Sequence, residues 1–143
     1  TLKSAKRKYL ESFLRRINER AKVYQTHIGA RAIVTLVSDE KGIQLQTEGT
    51  GAKSYAQCSG GEQRRIDLCL ALAMSEVASG MGNVTRAVPL VIDEAFDTLD
   101  EVGMGALLSL ACLISRQRQV ILVSHVLPDL PLSGDVSHVQ LSP

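Results

Sequence analysis

The sequence predicts an α/β domain, with a parallel-sheet core and flanking helices, entered through a long helix and a β-hairpin. Three observations carry this. Residues 88–92 and 120–123 are short, almost wholly apolar runs, the pattern of strands buried on both faces of a parallel sheet. Each follows a stretch in which apolar residues recur at helical spacing, so helix and strand alternate as in α/β units. Ahead of both, Leu10, Leu14, Ile17, Ala21, Tyr24 and His27/Ile28 repeat at alternating steps of four and three, the seam of a coiled coil or of an amphipathic surface helix.

Taken in order, residues 2–28 read as one helix and residues 1–28 as the base of a coiled coil. No capping residue precedes Leu2, which points to a longer helix. Residues 31–37 are β-branched and apolar, residues 39–42 (Asp-Glu-Lys-Gly) signal a turn, and residues 43–47 alternate, so a hairpin is expected. Residues 49–57 form a glycine-containing loop. A helix over about 60–79 opens on a Ser-x-x-Glu capping box, Ser59 and Glu62, and carries Ile66, Cys69, Leu70, Ala73, Met74 and Val77 on its apolar face. The glycines around Met81 end it. After the strand at 88–92, Thr98 or Asp100 starts a helix with Leu107, Leu108, Leu110, Ala111 and Ile114 inside. Pro128 and Pro131 break the chain beyond the second strand, and residues 136–141 alternate as a last edge strand. Residues 29–143 thus form one unit, without an internal repeat.

The 143 residues suffice for one core. With 45% hydrophobic, 22% charged and 3% aromatic residues, that core is built from Leu, Val, Ile and Ala. Cys58, Cys69 and Cys112 are odd in number and lack metal-site spacing. Cys69 and Cys112 lie in apolar helical stretches and are expected to be buried thiols, in a reducing, cytoplasmic setting. No apolar run reaches the roughly 20 residues of a membrane span, so no membrane role is expected. The net charge of +1 conceals an asymmetry. Residues 1–24 hold eight Lys and Arg against Glu11 and Glu19, a local charge of +6 that leaves −5 for the rest. The basic segment suits an acidic partner such as nucleic acid, or equally a solvated helix face.

Chemistry concentrates at four places. Ser59-Gly60-Gly61-Glu62-Gln63 begins a helix. Two glycines there allow close backbone approach to an anion, the helix terminus adds partial positive charge, and the Ser59 hydroxyl adds a donor. The segment contains no lysine, so it would complete a phosphate site rather than build one; alone, it also reads as a capped helix after a glycine turn. Asp93 and Glu94 end the first buried strand, where open parallel sheets bind ligands. Asp93 suits a water-mediated hold on Mg²⁺, and Glu94 suits the activation of water. The turn 97–100 (Asp-Thr-Leu-Asp) could cross a subunit boundary or simply cap the next helix. His125 follows the second buried strand, within reach of a γ-phosphate. His27 and His138 lack such context and read as structural, and Arg64 and Arg65 read as solvated or salt-bridged. No Gly-x-x-x-x-Gly-Lys-Ser/Thr occurs, so a nucleotide-cradling loop must come from another segment or chain.

In this order the four places resemble the ABC signature (59–63), Walker B (90–94), D-loop (97–100) and switch histidine (His125) of ABC-type P-loop ATPase heads. With the coiled-coil lead-in, the chain resembles the C-terminal lobe of an SMC-like head, in which a long coiled coil divides the ATPase into two lobes. The stretch 93–100 and the Arg-Arg after the signature make it similar to the ATPase subunit of SbcCD-type double-strand-break repair nucleases and related phage exonuclease subunits.

The resemblance implies ATP and Mg²⁺ as cofactors, and two heads that sandwich two ATPs. Ser59, Gly60, Gly61 and Gln63 would grip a nucleotide held by the partner's Walker A, with Asp93 on the metal, Glu94 on water and His125 on the γ-phosphate. Asp100 would couple the two sites across the dimer. Implied partners are an N-terminal lobe carrying Walker A, without which no ATPase activity is expected, a second head, a nuclease subunit near the coil base and double-stranded DNA. Cys58 stands where many relatives have Leu. Ala95 stands where transporters have Pro, against a transporter nucleotide-binding domain. Other readings are an SMC-like head without a nuclease and an interaction lobe without catalysis, the latter opposed by the intact Asp93, Glu94 and His125.

Overall fold

The computed structural model describes residues 2–49, 53–80, 89–94, 99–125 and 137. Their elements run α1 (Leu2–His27), β1 (Val34–Asp39), β2 (Gly42–Thr47), a 3₁₀ turn (Tyr55–Gln57), α2 (Gly60–Gly80), β3 (Leu90–Asp93), α3 (Glu101–Ser115) and β4 (Val120–Val123). The edge strand expected at 136–141 and the turn after Gly80 lie outside the described residues, apart from the single residue Ser137.

α1 buries much of its seam within its own domain. Leu14, Ile17, Ala21 and Tyr24 are all buried in a core shared with Val34 of the hairpin and with Ile66, Cys69, Leu70, Ala73 and Val77 of α2. Within the coil base expected over 1–28, the heptad pattern from Leu14 onward therefore reports packing against α2 and β1, and residues 3–9 are the exposed part. The same four-three spacing serves either purpose, which is why the sequence alone does not separate them. α1 stops at Gly29, whose φ of +67° is left-handed. The Gly29 N–H bonds to the Thr26 carbonyl and the Ala30 N–H to the Gln25 carbonyl, satisfying the carbonyls that a helix end would strand.

β1 and β2 pair antiparallel from Val34↔Thr47 to Asp39↔Gly42. The Asp39 carboxylate accepts from the Lys41 N–H at 2.7 Å, and Gly42 takes the positive φ that resumes the strand. The outer edge of β1 is closed by α1. Gln25, fully buried, donates to the Val34 carbonyl and accepts from its N–H, both at 2.8 Å. Asn18, one heptad earlier, does the same to Leu36, again at 2.8 Å. Two amide side chains thus stand in for a third strand.

α2 begins as expected. The Ser59 N–H donates to Glu62 Oε2 at 2.8 Å and Ser59 Oγ accepts from the Glu62 N–H at 3.3 Å. Its apolar face holds Leu72 in place of Met74, which is exposed. α1 and α2 are tied by Glu76, which accepts from Arg20 and from the Tyr24 hydroxyl. Burial raises the Glu76 pKa, but the bonds from Arg20 and Tyr24 outweigh it and leave the carboxyl below its usual range. Burial and the bond to Glu76 push the Tyr24 phenol well up.

β3 and β4 pair parallel, from Leu90↔Val120 to Asp93↔Val123. Leu90 and Ile92 face the core with Leu107, Leu110 and Ile114 of α3. Burial on both faces is corrected: Val91 is 58%, Ile121 40% and Val123 46% exposed. Among the described residues the helices cover one face of this pair, so alternation replaces the all-apolar burial expected of a central strand. Cys112 is likewise exposed, whereas Cys58 and Cys69 are buried free thiols. Burial pushes the Cys69 thiol up to about 12. Among the described residues no helix is long and apolar enough to cross a membrane.

Candidate functional site

The pairing of β3 with β4 assembles the first half of the site. Asp93 is the last residue of β3 and lies in register with Val123. Glu94 then leaves the sheet with φ at 51°, a left-handed conformation that costs a non-glycine residue on the order of 1 kcal/mol or more. Its N–H is held by the Val123 carbonyl at 2.9 Å. Just beyond β4, His125 places Nε2 3.5 Å from Glu94 Oε1. One carbonyl of β4 therefore anchors the Glu94 backbone while the chain two residues on supplies the imidazole facing its side chain. Asp93, Glu94 and His125 are all exposed at the carboxyl ends of parallel strands, the edge at which open α/β sheets hold ligands.

The donor set suits a hard divalent cation. Asp93 and Glu94 offer carboxylate oxygens at the surface, and no group of three or more His, Cys, Asp or Glu with metal-binding geometry exists among the described residues. Mg²⁺ is commonly held this way, by one or two carboxylates with substrate phosphates and water completing the shell.

The second half is the start of α2. Ser59 caps it, and a side chain at Gly60 would meet nothing within 4 Å, so the backbone is open there. Gly61 differs. A Cβ at this position would lie 2.8 Å from Asp100 Oδ2. At the glycine that the sequence suggests for anion approach, the space a side chain would take is thus occupied by a carboxylate of the same chain. Asp100 also caps α3, accepting from the Gly103 N–H at 2.7 Å, and its Oδ1 lies 3.4 Å from Arg65 Nη1. Of the turn 97–100, residues 97 and 98 lie outside the described residues, and Asp100 is the helix cap.

Gln63 faces backward. Its Nε2 donates to the Tyr55 carbonyl at 3.0 Å and fixes the 3₁₀ turn that delivers Ser59. The Tyr55 hydroxyl donates to both oxygens of Asp67, at 2.7 and 2.9 Å, and burial with this bond pushes the phenol up to about 12. Lys53 approaches Glu62 at 3.5 Å, and the Glu62 carboxyl is lowered chiefly by the Ser59 N–H. Nothing in the sequence marks Tyr55 or Lys53 as part of the site; a tyrosine eight residues from its partner leaves no local pattern to read. His27 bonds through Nε2 to Ser109 Oγ at 2.7 Å, tying α1 to α3 as a structural histidine would, while His138 lies outside the described residues.

The family model described as SbcC/RAD50-like, Walker B motif, matches residues 28–111, more than half of the chain. The SbcC component of the nuclease SbcCD from Rhodobacter capsulatus is 39% identical over 89 residues, covering 59% of this chain. The chain spans 7% of that relative's length. Among solved structures, one from work on ATP-driven dimerization and DNA-stimulated activation of SMC ATPases superposes with a TM-score of 0.64 at 17% identity, covering 85% of this chain and 73% of the other. The Smc head with coiled coil and joint from Pyrococcus yayanosii gives 0.60 at 18% identity, over 85% and 24% of the respective chains. An Smc head bound to the C-winged helix domain of ScpA gives 0.58 at 18%, over 81% and 35%. These likenesses carry the fold, that of SMC ATPase heads, and the family match carries the assignment: the chain belongs to the SbcC/RAD50-like family.

Proposed function

We propose that this chain supplies the signature, Walker B and switch-histidine parts of an ATP-hydrolysing head that dimerises around ATP and controls a nuclease acting on DNA ends. The observation that carries the reading is the Glu94–His125 pair at the ends of β3 and β4. Glu94 is the general base: its backbone is pinned to Val123, leaving the carboxylate exposed to take a proton from an attacking water. His125 faces the same space and donates to the terminal phosphate. Asp93 would hold Mg²⁺, which when bound neutralises charge on the phosphates. Ser59 and Gly60 offer the capped, open helix start to the nucleotide held by a second head.

Two features support the partners. The exposed apolar row Val91, Ile121 and Val123 fits a lobe that carries the nucleotide-cradling loop and covers that face of the sheet. Lys3, Lys6, Lys8, Arg15 and Arg16 are exposed along α1 and fit phosphate contacts to double-stranded DNA. Arg20 and Lys22 are engaged with Glu76 and Glu48. A head without a nuclease is the second reading, favoured by the likeness to Smc heads.

The test is Glu94→Gln in the assembled head. ATP should still bind while turnover falls; unchanged turnover would remove Glu94 from the reaction. For the nuclease, residues 1–143 should be the bait, because a 1–28 peptide would expose the core face of α1. Failure to retain a nuclease from the source organism would favour the second reading.

A further inference from the structure

Whether Ser59 can grip a nucleotide depends on where its hydroxyl sits, and the turn before it sets that position. Ser59 is exposed, and its Oγ accepts from the Glu62 N–H. Its own O–H proton meets no acceptor among the described residues, so it is left for a ligand. The preceding 3₁₀ turn closes on itself. The Gln57 N–H donates to the Ser54 carbonyl and the Gln57 side chain accepts from the Ser54 N–H, both at 2.9 Å. Tyr55 then fastens this turn to α2 at two points. Its carbonyl accepts from the Cys58 N–H at 3.1 Å and from Gln63 Nε2 at 3.0 Å. Its hydroxyl donates to both carboxylate oxygens of Asp67, at 2.7 and 2.9 Å. Gln63 and Asp67, four residues apart, share one face of α2, so Tyr55 lies along the first two turns of that helix while its ring packs against the core. Capping alone does not require this, because the Ser59–Glu62 box already satisfies the helix start. What the added bonds fix is the path of the chain into Ser59.

Resting on the reading of Ser59 as a nucleotide contact, we infer that Tyr55 is a positioning residue: clamped by Gln63 and Asp67, it holds the Cys58–Ser59 backbone where the Ser59 hydroxyl meets the phosphate of a nucleotide bound by a second head. Gln63 acts through Tyr55, with its amide committed to the chain's own backbone. A serine left free to move would have to be ordered at every binding event, and that cost would appear as weaker engagement of the nucleotide.

The experiment is ATP turnover against ATP concentration in the assembled head. The variants are Tyr55→Phe, Gln63→Glu, Asp67→Asn, Ser59→Ala, and Ser59→Ala combined with each of the first two. Tyr55→Phe keeps the ring and removes the bond to Asp67. The half-saturating ATP concentration should rise by roughly tenfold, the worth of one hydrogen bond to a charged group, with maximal turnover less affected. Gln63→Glu keeps the length and loses the donor, and should act in the same direction. Asp67→Asn keeps an acceptor for the phenol and should retain most of the unaltered behaviour. Once residue 59 is alanine the clamp has no hydroxyl to place, so each pair should match Ser59→Ala alone. A merely structural tyrosine would lower maximal turnover in proportion to folded protein, by the same factor with or without the serine. Half-saturation equal to the unaltered head in both Tyr55→Phe and Gln63→Glu, or full additivity with Ser59→Ala, would overturn the clamp and leave the nucleotide reading standing. Gln63→Glu and its pair decide the matter if Tyr55→Phe fails to fold. A head that turns over no ATP, or is unmoved by Ser59→Ala, would overturn the reading of Ser59, and the clamp with it.

Discussion

The region built from α1, the hairpin and α2 is closed, whereas the β3–β4 end is open, and the contrast separates what the chain builds alone from what it offers to partners. In the closed region the polar groups find partners within the chain. Gln25 and Asn18 satisfy the free edge of β1, Glu76 is bound by Arg20 and Tyr24, and the end of α1 is sealed at Gly29. At the open end Val91, Ile121 and Val123 face outward, as do Asp93, Glu94 and His125. An apolar row beside exposed carboxylates is unfavourable for a surface that stays bare, and is what a shared nucleotide site would present before assembly.

Substitutions should therefore act on different quantities in the two regions. The largest effect is expected at the open end on turnover: Glu94→Gln should slow hydrolysis by about 10²–10⁴-fold, the usual contribution of a positioned base, with ATP binding retained in an equilibrium assay. In the closed region Ile17→Ala, at a site 1% exposed, should cost about 2–5 kcal/mol in a urea unfolding series and leave no selective effect on turnover. Gln25→Ala removes both bonds to Val34 and strands a buried N–H and carbonyl, for a loss of about 1–3 kcal/mol by the same measurement.

Acid should find the closed region too. The folded Glu76 carboxyl titrates below its unfolded value, so its contribution is present above the ordinary carboxylate range and is lost as pH falls through its folded pKa. A Glu76→Gln variant should show a shallower decline of melting temperature over that acid window than the unaltered chain. The smallest effect on folding is expected from Val91→Ser, within about 0.5 kcal/mol because the side chain is already exposed, yet this change should weaken capture of the lobe that carries the cradling loop. Equal destabilisation by Val91→Ser and Ile17→Ala would erase the distinction between the regions.

The sequence is legible where partners are local. The Ser59–Glu62 box spans one helical turn and forms as read, as does the hairpin turn at Asp39, and of the α3 face Leu107, Leu110, Ala111 and Ile114 are buried as read while Leu108 is only partly buried. It is illegible where partners are distant or shared. The amides of Asn18 and Gln25 look like ordinary polar positions on a helix until β1 lies beside them. The seam of α1 has the same spacing whether it meets a second coil or its own core. Residues 88–92 read as buried on both faces because their composition suits a sheet that is covered on both sides, and the described chain covers one. At the site, Glu94 and His125 follow from their places after apolar runs, but no local pattern shows that Gly61 makes room for Asp100 or that Gln63 turns back to Tyr55.

The most direct test of the central claim, that this chain carries the hydrolytic parts of a site completed by a Walker A lobe, is ATP binding and hydrolysis by residues 1–143 alone and together with that lobe, with and without linear DNA. Weak binding alone, restored by the lobe and stimulated by DNA, is the expected result. Tight binding and turnover by residues 1–143 alone would contradict it, because the chain would then hold a complete phosphate site of its own.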